Sequence, residues 1–99
     1  MKNDIKWRII KVLRRELSTL MEKAEQLREE LEKYEKKYGM SSQEFVSLWN
    51  DAIRRRIDLP FPEEADVELI EWRALYEHYK SLLDEIREIE GRIAELLKA

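Results

Sequence analysis

Two long runs of apolar residues spaced alternately three and four apart constrain this chain more than anything else in it. The first is Ile10, Leu13, Leu17, Leu20, Ala24, Leu27, Leu31, Tyr34 and Tyr38; the second is Trp72, Leu75, Tyr79, Leu82, Ile86, Ile89, Ile93 and Leu96. A repeat averaging about 3.5 residues keeps one narrow stripe of a helix against a partner helix, so each run predicts a long coiled-coil-like helix. At 1.5 Å per residue the first seam alone extends roughly 42 Å. Elements of that length give most core residues a single neighbouring helix, which predicts a second copy or a partner chain.

The 99 residues are expected to form one helical domain, and their balance suits long solvated helices: 41 % are charged, with two glycines and two prolines. Such enrichment in Lys, Glu and Arg at the expense of amides also resembles thermophile composition. The absence of cysteine excludes disulfides, thiolate catalysis and cysteine-based zinc sites. Charges interrupt every apolar stretch, so neither a spanning segment nor a signal peptide is expected, and the predicted location is the cytoplasm, away from membranes. The net charge of −3 is unevenly spread: residues 1–15 carry +5 and the remainder −8, with ten acids in residues 63–90 against Arg73, Lys80 and Arg87. Asymmetry of this kind steers partners.

Local signals divide the chain into helices of about residues 4–38, 42–56 and 64–97. Asn3 or Asp4 is a candidate cap for the first, and Gly39 stops it behind Lys36 and Lys37, which suit the negative end of the helix dipole. Ser41 with Glu44 reads as a capping box, and Met40 with Phe45 as a hydrophobic staple. The short second helix is expected to bury Phe45, Leu48, Trp49, Ala52 and Ile53 and to finish at Arg54–Arg56. Pro60-Phe61-Pro62 makes a stiff connector. Gly91 interrupts the last helix at a cost of about 1 kcal/mol, marking either a close approach or simple tolerance.

The predicted fold is therefore all-α, a long–short–long arrangement closing as an antiparallel coiled-coil-like hairpin. This sets Tyr34 and Tyr38 near Trp72 and Leu75, with Phe45 and Trp49 over the aromatic cluster, and sets Lys33, Lys36 and Lys37 near Glu63–Glu71. Ile5, Ile9 and Val12 form a second stripe on the first helix, while Leu69, Tyr76, Leu83 and Leu97 broaden the face of the third. Ile5, Ile9, Val12 and Leu97 are the expected homodimer interface, approaching a four-helix arrangement; the alternative is a fatter monomer that covers them itself.

Groups suited to catalysis do not converge. His78 is the single histidine and stands beside the seam without a triad or a His-x-x-x-His pair, and the carboxylates spread around their helices. The long–short–long pattern is similar to that of helical chorismate mutases, intertwined dimers whose site needs cations in an interhelical pocket, but the basic residues here lie mostly off the seam. No enzyme, metal or cofactor is expected. Nucleic acid is the rival ligand: Lys6, Lys11, Arg14 and Arg15 with Trp7 suit phosphate, and Arg54–Arg56 offer a second contact. Against it, the same charges read as a solvated flank.

The segment Lys37-Tyr38-Gly39-Met40-Ser41-Ser42-Gln43-Glu44-Phe45, followed by Ile70-Glu71-Trp72-Arg73-Ala74-Leu75-Tyr76, resembles a group of small archaeal and bacterial helical proteins encoded beside a small toxin as its antitoxin. The likeness covers roughly residues 30–80; the connector Ile57–Asp66 is longer here and holds two prolines. The resemblance implies a protein that neutralises another by binding it. An acidic third helix with the apolar shoulder Leu69, Tyr76 and Leu83 suits the masking of a small basic toxin. The expected function is thus non-enzymatic protein binding, with nucleic-acid binding as the alternative and a bare coiled-coil adaptor third.

Overall fold

The computed structural model describes residues 2–99, with side chains described from Asp4 onward. Helix α1 spans Lys2–Tyr38, α2 spans Ser42–Arg55, and a short 3-10 turn at Glu63–Ala65 leads into α3, Asp66–Lys98. Among the described residues there is no strand, and α1 packs antiparallel against α3 as a hairpin. Every residue of the two heptad runs is buried or half-buried, so the seam read from spacing is the seam that packs.

The helix ends follow local chemistry, with two departures. Helix α1 is already under way at Lys2, so Asn3 and Asp4 lie in its first turn rather than capping it; Asp4 there suits the positive end of the dipole. It stops at Gly39, whose φ of 69° lets the N–H groups of Gly39 and Met40 both donate to the Glu35 carbonyl, at 2.9 and 3.2 Å. Ser41 Oγ accepts the Glu44 N–H at 3.1 Å, opening α2 as expected. The other departure closes α2. Arg56 adopts the left-handed conformation, φ 56°, while its N–H donates to Ile53 O at 3.3 Å and the Ile57 N–H donates to Ala52 O at 3.0 Å. This is a Schellman closure built without glycine, in a conformation that costs an ordinary residue about 1–2 kcal/mol.

Packing divides the chain into two compact units. One comprises the chain up to Gln26 with Tyr79–Ala99; α1 contributes buried Ile10, Leu20 and Ala24, and α3 contributes Leu82, Ile89 and Ile93. Gly91 of this unit is exposed, and a Cβ placed there would meet nothing within 4 Å. Of the two readings of this glycine, simple tolerance holds. Gly91→Ala is accordingly expected to stabilise the protein by about 1 kcal/mol, raising the urea midpoint without changing the slope of the transition; a lower midpoint would contradict the open surroundings described here.

The other unit, Leu27–His78, is organised on Trp72, which is fully buried. Phe45 stacks on it at a centroid distance of 4.0 Å and an interplanar angle of 4°; Tyr34 and Tyr38 lie nearly parallel to it at 5.8 and 5.5 Å. Phe61, from the Pro-Phe-Pro connector, meets Tyr38 and Phe45 edge-on. The Trp72 indole N–H is satisfied by a polar chain: Nε1 donates to Ser42 Oγ at 2.9 Å, and Ser42 donates through both its hydroxyl and its backbone N–H to Glu35 Oε2 at 2.8 Å. Helix α2 thus turns Ser42, Phe45, Val46 and Ala52 inward, with Trp49 half-buried. Leu48 and Ile53, expected in the core, are 37 % and 65 % exposed, because the hydrogen bonds of Ser42 set the phase of the helix.

Candidate functional site

The first half of α1 carries two different exposed flanks beside its seam. Each residue advances about 100° around a helix, so Ile5, Ile9 and Val12 share one flank while Trp7, Lys11, Arg14 and Ser18 share another. The first three are 62 %, 45 % and 59 % exposed, and with Arg8 and Leu13 they line a shallow groove of about 450 Å³. All five walls belong to α1. Leu97 of α3, expected to complete this surface, is also exposed but does not line that groove.

The second flank forms a groove of about 560 Å³ lined by Trp7, Ile10, Lys11, Arg14, Arg15 and Ser18, with no acidic residue among them. Lys6, expected here, is half-buried and does not line it. Elsewhere five of eight arginines are matched with carboxylates, Arg28 with Glu32 and Glu35, Arg54 and Arg55 with Asp51, Arg87 with Asp84 and Arg92 with Glu88, whereas Arg8, Arg56 and Arg73 are in no such pair among the described residues. Pairing occupies Arg54 and Arg55 and holds the Asp51 carboxyl below its usual range, chiefly through the hydrogen bond from Arg54. Among the described residues Lys11, Arg14 and Arg15 form no such pair.

On α3 the expected partner-binding shoulder does not assemble. Leu69 is 1 % exposed and belongs to the core, since it shares the inward phase of Trp72, while Tyr76 and Leu83 are half-buried. Near its start α3 instead leaves Val67 and Ile70 in solvent, at 68 % and 58 %, with exposed Ala74 next in the series. Their spacing of three and four was the available signal. It lies beside the stronger Leu69–Trp72–Tyr76 series and is masked by it.

A concavity of about 740 Å³ lies within the Leu27–His78 unit and is walled by Glu30, Lys33, Tyr34, Lys37, Glu68, Glu71, Ala74, Leu75 and His78. Lys37 Nζ donates to both oxygens of Glu68 at 2.7 Å, Tyr38 donates to Glu68 Oε2 as well, and Tyr34 donates to Glu71 Oε2 at 3.1 Å. The expected meeting of lysines with the acidic start of α3 is thus realised by Lys37, whereas Lys36 lines a different groove with Arg28, Glu32 and Glu35. His78 is exposed on the wall.

These contacts predict a pH profile. The hydrogen bonds from Lys37 and then Tyr38 hold the Glu68 carboxyl below its usual range, so its stabilisation is present above that range and is lost as pH falls through the lowered value. Tyr38 is pushed from 10.0 up to about 12, first by its hydrogen bond to Glu68 and then by burial, so its stabilisation is complete below pH 10 and disappears as pH approaches about 12. Burial and then the Glu71 hydrogen bond raise Tyr34 in the same direction. Denaturation midpoints measured against pH should fall on both limbs. Glu68→Gln should flatten the acid limb and Tyr38→Phe the alkaline one; profiles unchanged by either substitution would refute these assignments.

Comparison of the chain with protein-family models, curated proteins and solved structures gives no match. Among the described residues no helix is long and apolar enough to cross a membrane, and no group of three His, Cys, Asp or Glu side chains is placed to hold a metal ion.

Proposed function

We propose that this chain is a non-enzymatic protein-binding module of the cytoplasm. It pairs with a second copy through Ile5, Ile9 and Val12 and serves as the regulatory partner of a small basic protein, the antitoxin role implied by the resemblance at Lys37–Phe45 and Ile70–Tyr76. The observation that supports it most is the cluster Ile5, Ile9 and Val12, three branched aliphatic side chains about half or more exposed on consecutive turns of one helix. Leaving such a stripe in water sacrifices roughly 25 cal/mol for each Å² that a partner would cover, and aliphatic surface placed side by side is characteristic of contact sites. The symmetry follows from economy. A two-fold contact lets the same stripe serve as both surfaces.

The acidic stretch of residues 63–90, with Val67, Ile70 and Ala74 exposed on its helix, suits a basic partner: charge speeds encounter and the apolar residues retain it. Sedimentation equilibrium across a range of concentrations tests the pairing, with a dimer expected and a monomer throughout overturning it. Co-expression with the product of the adjacent gene tests the regulatory role. A small basic protein, toxic alone and co-purifying with this chain, is expected; a neighbour that neither binds nor is toxic would remove the antitoxin reading.

A further inference from the structure

From the groove on the other flank of α1 we infer a second binding surface, for the phosphate backbone of single-stranded nucleic acid. Three observations meet there. The walls hold Lys11, Arg14 and Arg15 with no acid among them, and these cations form no ion pair among the described residues, although most arginines elsewhere in the chain are paired. Trp7, 51 % exposed, stands one turn before Lys11 on the same flank, and the Ser18 hydroxyl follows Arg14 by one turn. From Trp7 to Ser18 the flank extends roughly 16 Å along the helix, enough for two or three nucleotides.

Cations in line with an exposed indole are what a flexible strand requires, because the cations track phosphates while the ring stacks on a base of any identity. The net charge of −3 does not oppose this, since charges more than about 10 Å away are screened at ordinary ionic strength and the strand meets the local charge. An anionic membrane surface is the lesser fit. A helix lying in a bilayer interface needs its tryptophan on the apolar face, whereas here Trp7 shares the cationic flank and Ile5, Ile9 and Val12 occupy another.

Fluorescence anisotropy of a labelled oligothymidylate of about 15 nucleotides, titrated with the full chain between about 20 and 200 mM salt, tests the inference. Binding should weaken with a log–log salt slope of about −2, as expected for three neutralised phosphates on a single strand. Arg14→Gln with Arg15→Gln should reduce affinity about tenfold or more and flatten that slope. Trp7→Ala should reduce it about 5- to 100-fold with little change of slope. All three residues are exposed, so circular dichroism of the variants should match the parent. The inference is overturned by no binding at the lowest salt, by binding indifferent to both variants, or by retention on phosphatidylserine vesicles without retention of the oligonucleotide.

Discussion

Trp72→Ala is expected to destabilise the protein by about 3–5 kcal/mol, the largest effect of any single truncation in the chain. The indole is fully buried and is the common neighbour of Phe45, Tyr34 and Tyr38, so its loss opens a cavity in the middle of a stack. It also removes the donor to Ser42, and Ser42 is the residue that ties α2 to Glu35 of α1. Two milder variants separate packing from hydrogen bonding. Trp72→Phe retains an aromatic ring while deleting the N–H and should cost less than the alanine variant. Ser42→Ala leaves the indole in place but strands its buried donor, at about 1–3 kcal/mol. Urea titrations of the three variants read these differences. An alanine variant within about 1 kcal/mol of the parent would mean that the aromatic stack is not the core of the Leu27–His78 unit.

Ile9→Glu should dissociate the proposed dimer while leaving the hairpin folded. Ile9 is 45 % exposed in the single chain, so a carboxylate there meets water and the helix is undisturbed. In a two-fold interface the same substitution occurs twice, placing two like charges against apolar surface and against each other. The dimer dissociation constant should therefore rise by about 100-fold or more, equivalent to about 2.8 kcal/mol at 1.4 kcal/mol per tenfold. The same change at Ile70 of α3, also exposed, should leave self-association intact and weaken capture of the proposed basic partner. Sedimentation velocity with circular dichroism on each variant distinguishes loss of pairing from loss of fold. Should Ile9→Glu remain as dimeric as the parent, the stripe is not where two copies meet.

The parts of this molecule that were legible in its sequence are those that one helix decides for itself. The heptad runs name the seam because period alone selects which side of a helix is covered, and both runs pack as written. Gly39 and Ser41 mark their helix ends because positive φ and side-chain capping are local matters. Tertiary hydrogen bonds decided what the sequence left hidden. The phase of α2 is set by Ser42, a polar residue that no hydropathy pattern places in a core, and the consequence is that Val46 goes in while Leu48 and Ile53 stay out. On α3, Leu69 and Ile70 are adjacent and equally apolar; only the burial of Trp72 determines that Leu69 turns inward. Arg56 closes α2 in a conformation usually given to glycine, and its type offers no warning of that. Of the four cations read together on the first helix, Lys11, Arg14 and Arg15 line one groove, while phase sends Lys6 towards the seam.

In the proposed dimer Ile5, Ile9 and Val12 are covered by the same three residues of another copy. Mixing isotope-labelled chain with unlabelled chain and recording filtered nuclear Overhauser spectra reports on that contact alone, because a labelled methyl then transfers magnetisation to unlabelled protons only across the interface. Cross-peaks from the labelled methyls of Ile5, Ile9 and Val12 to unlabelled aliphatic protons are the predicted result. Cross-peaks confined to Val67 and Ile70, or a spectrum with none under conditions where the chain is dimeric, would contradict it.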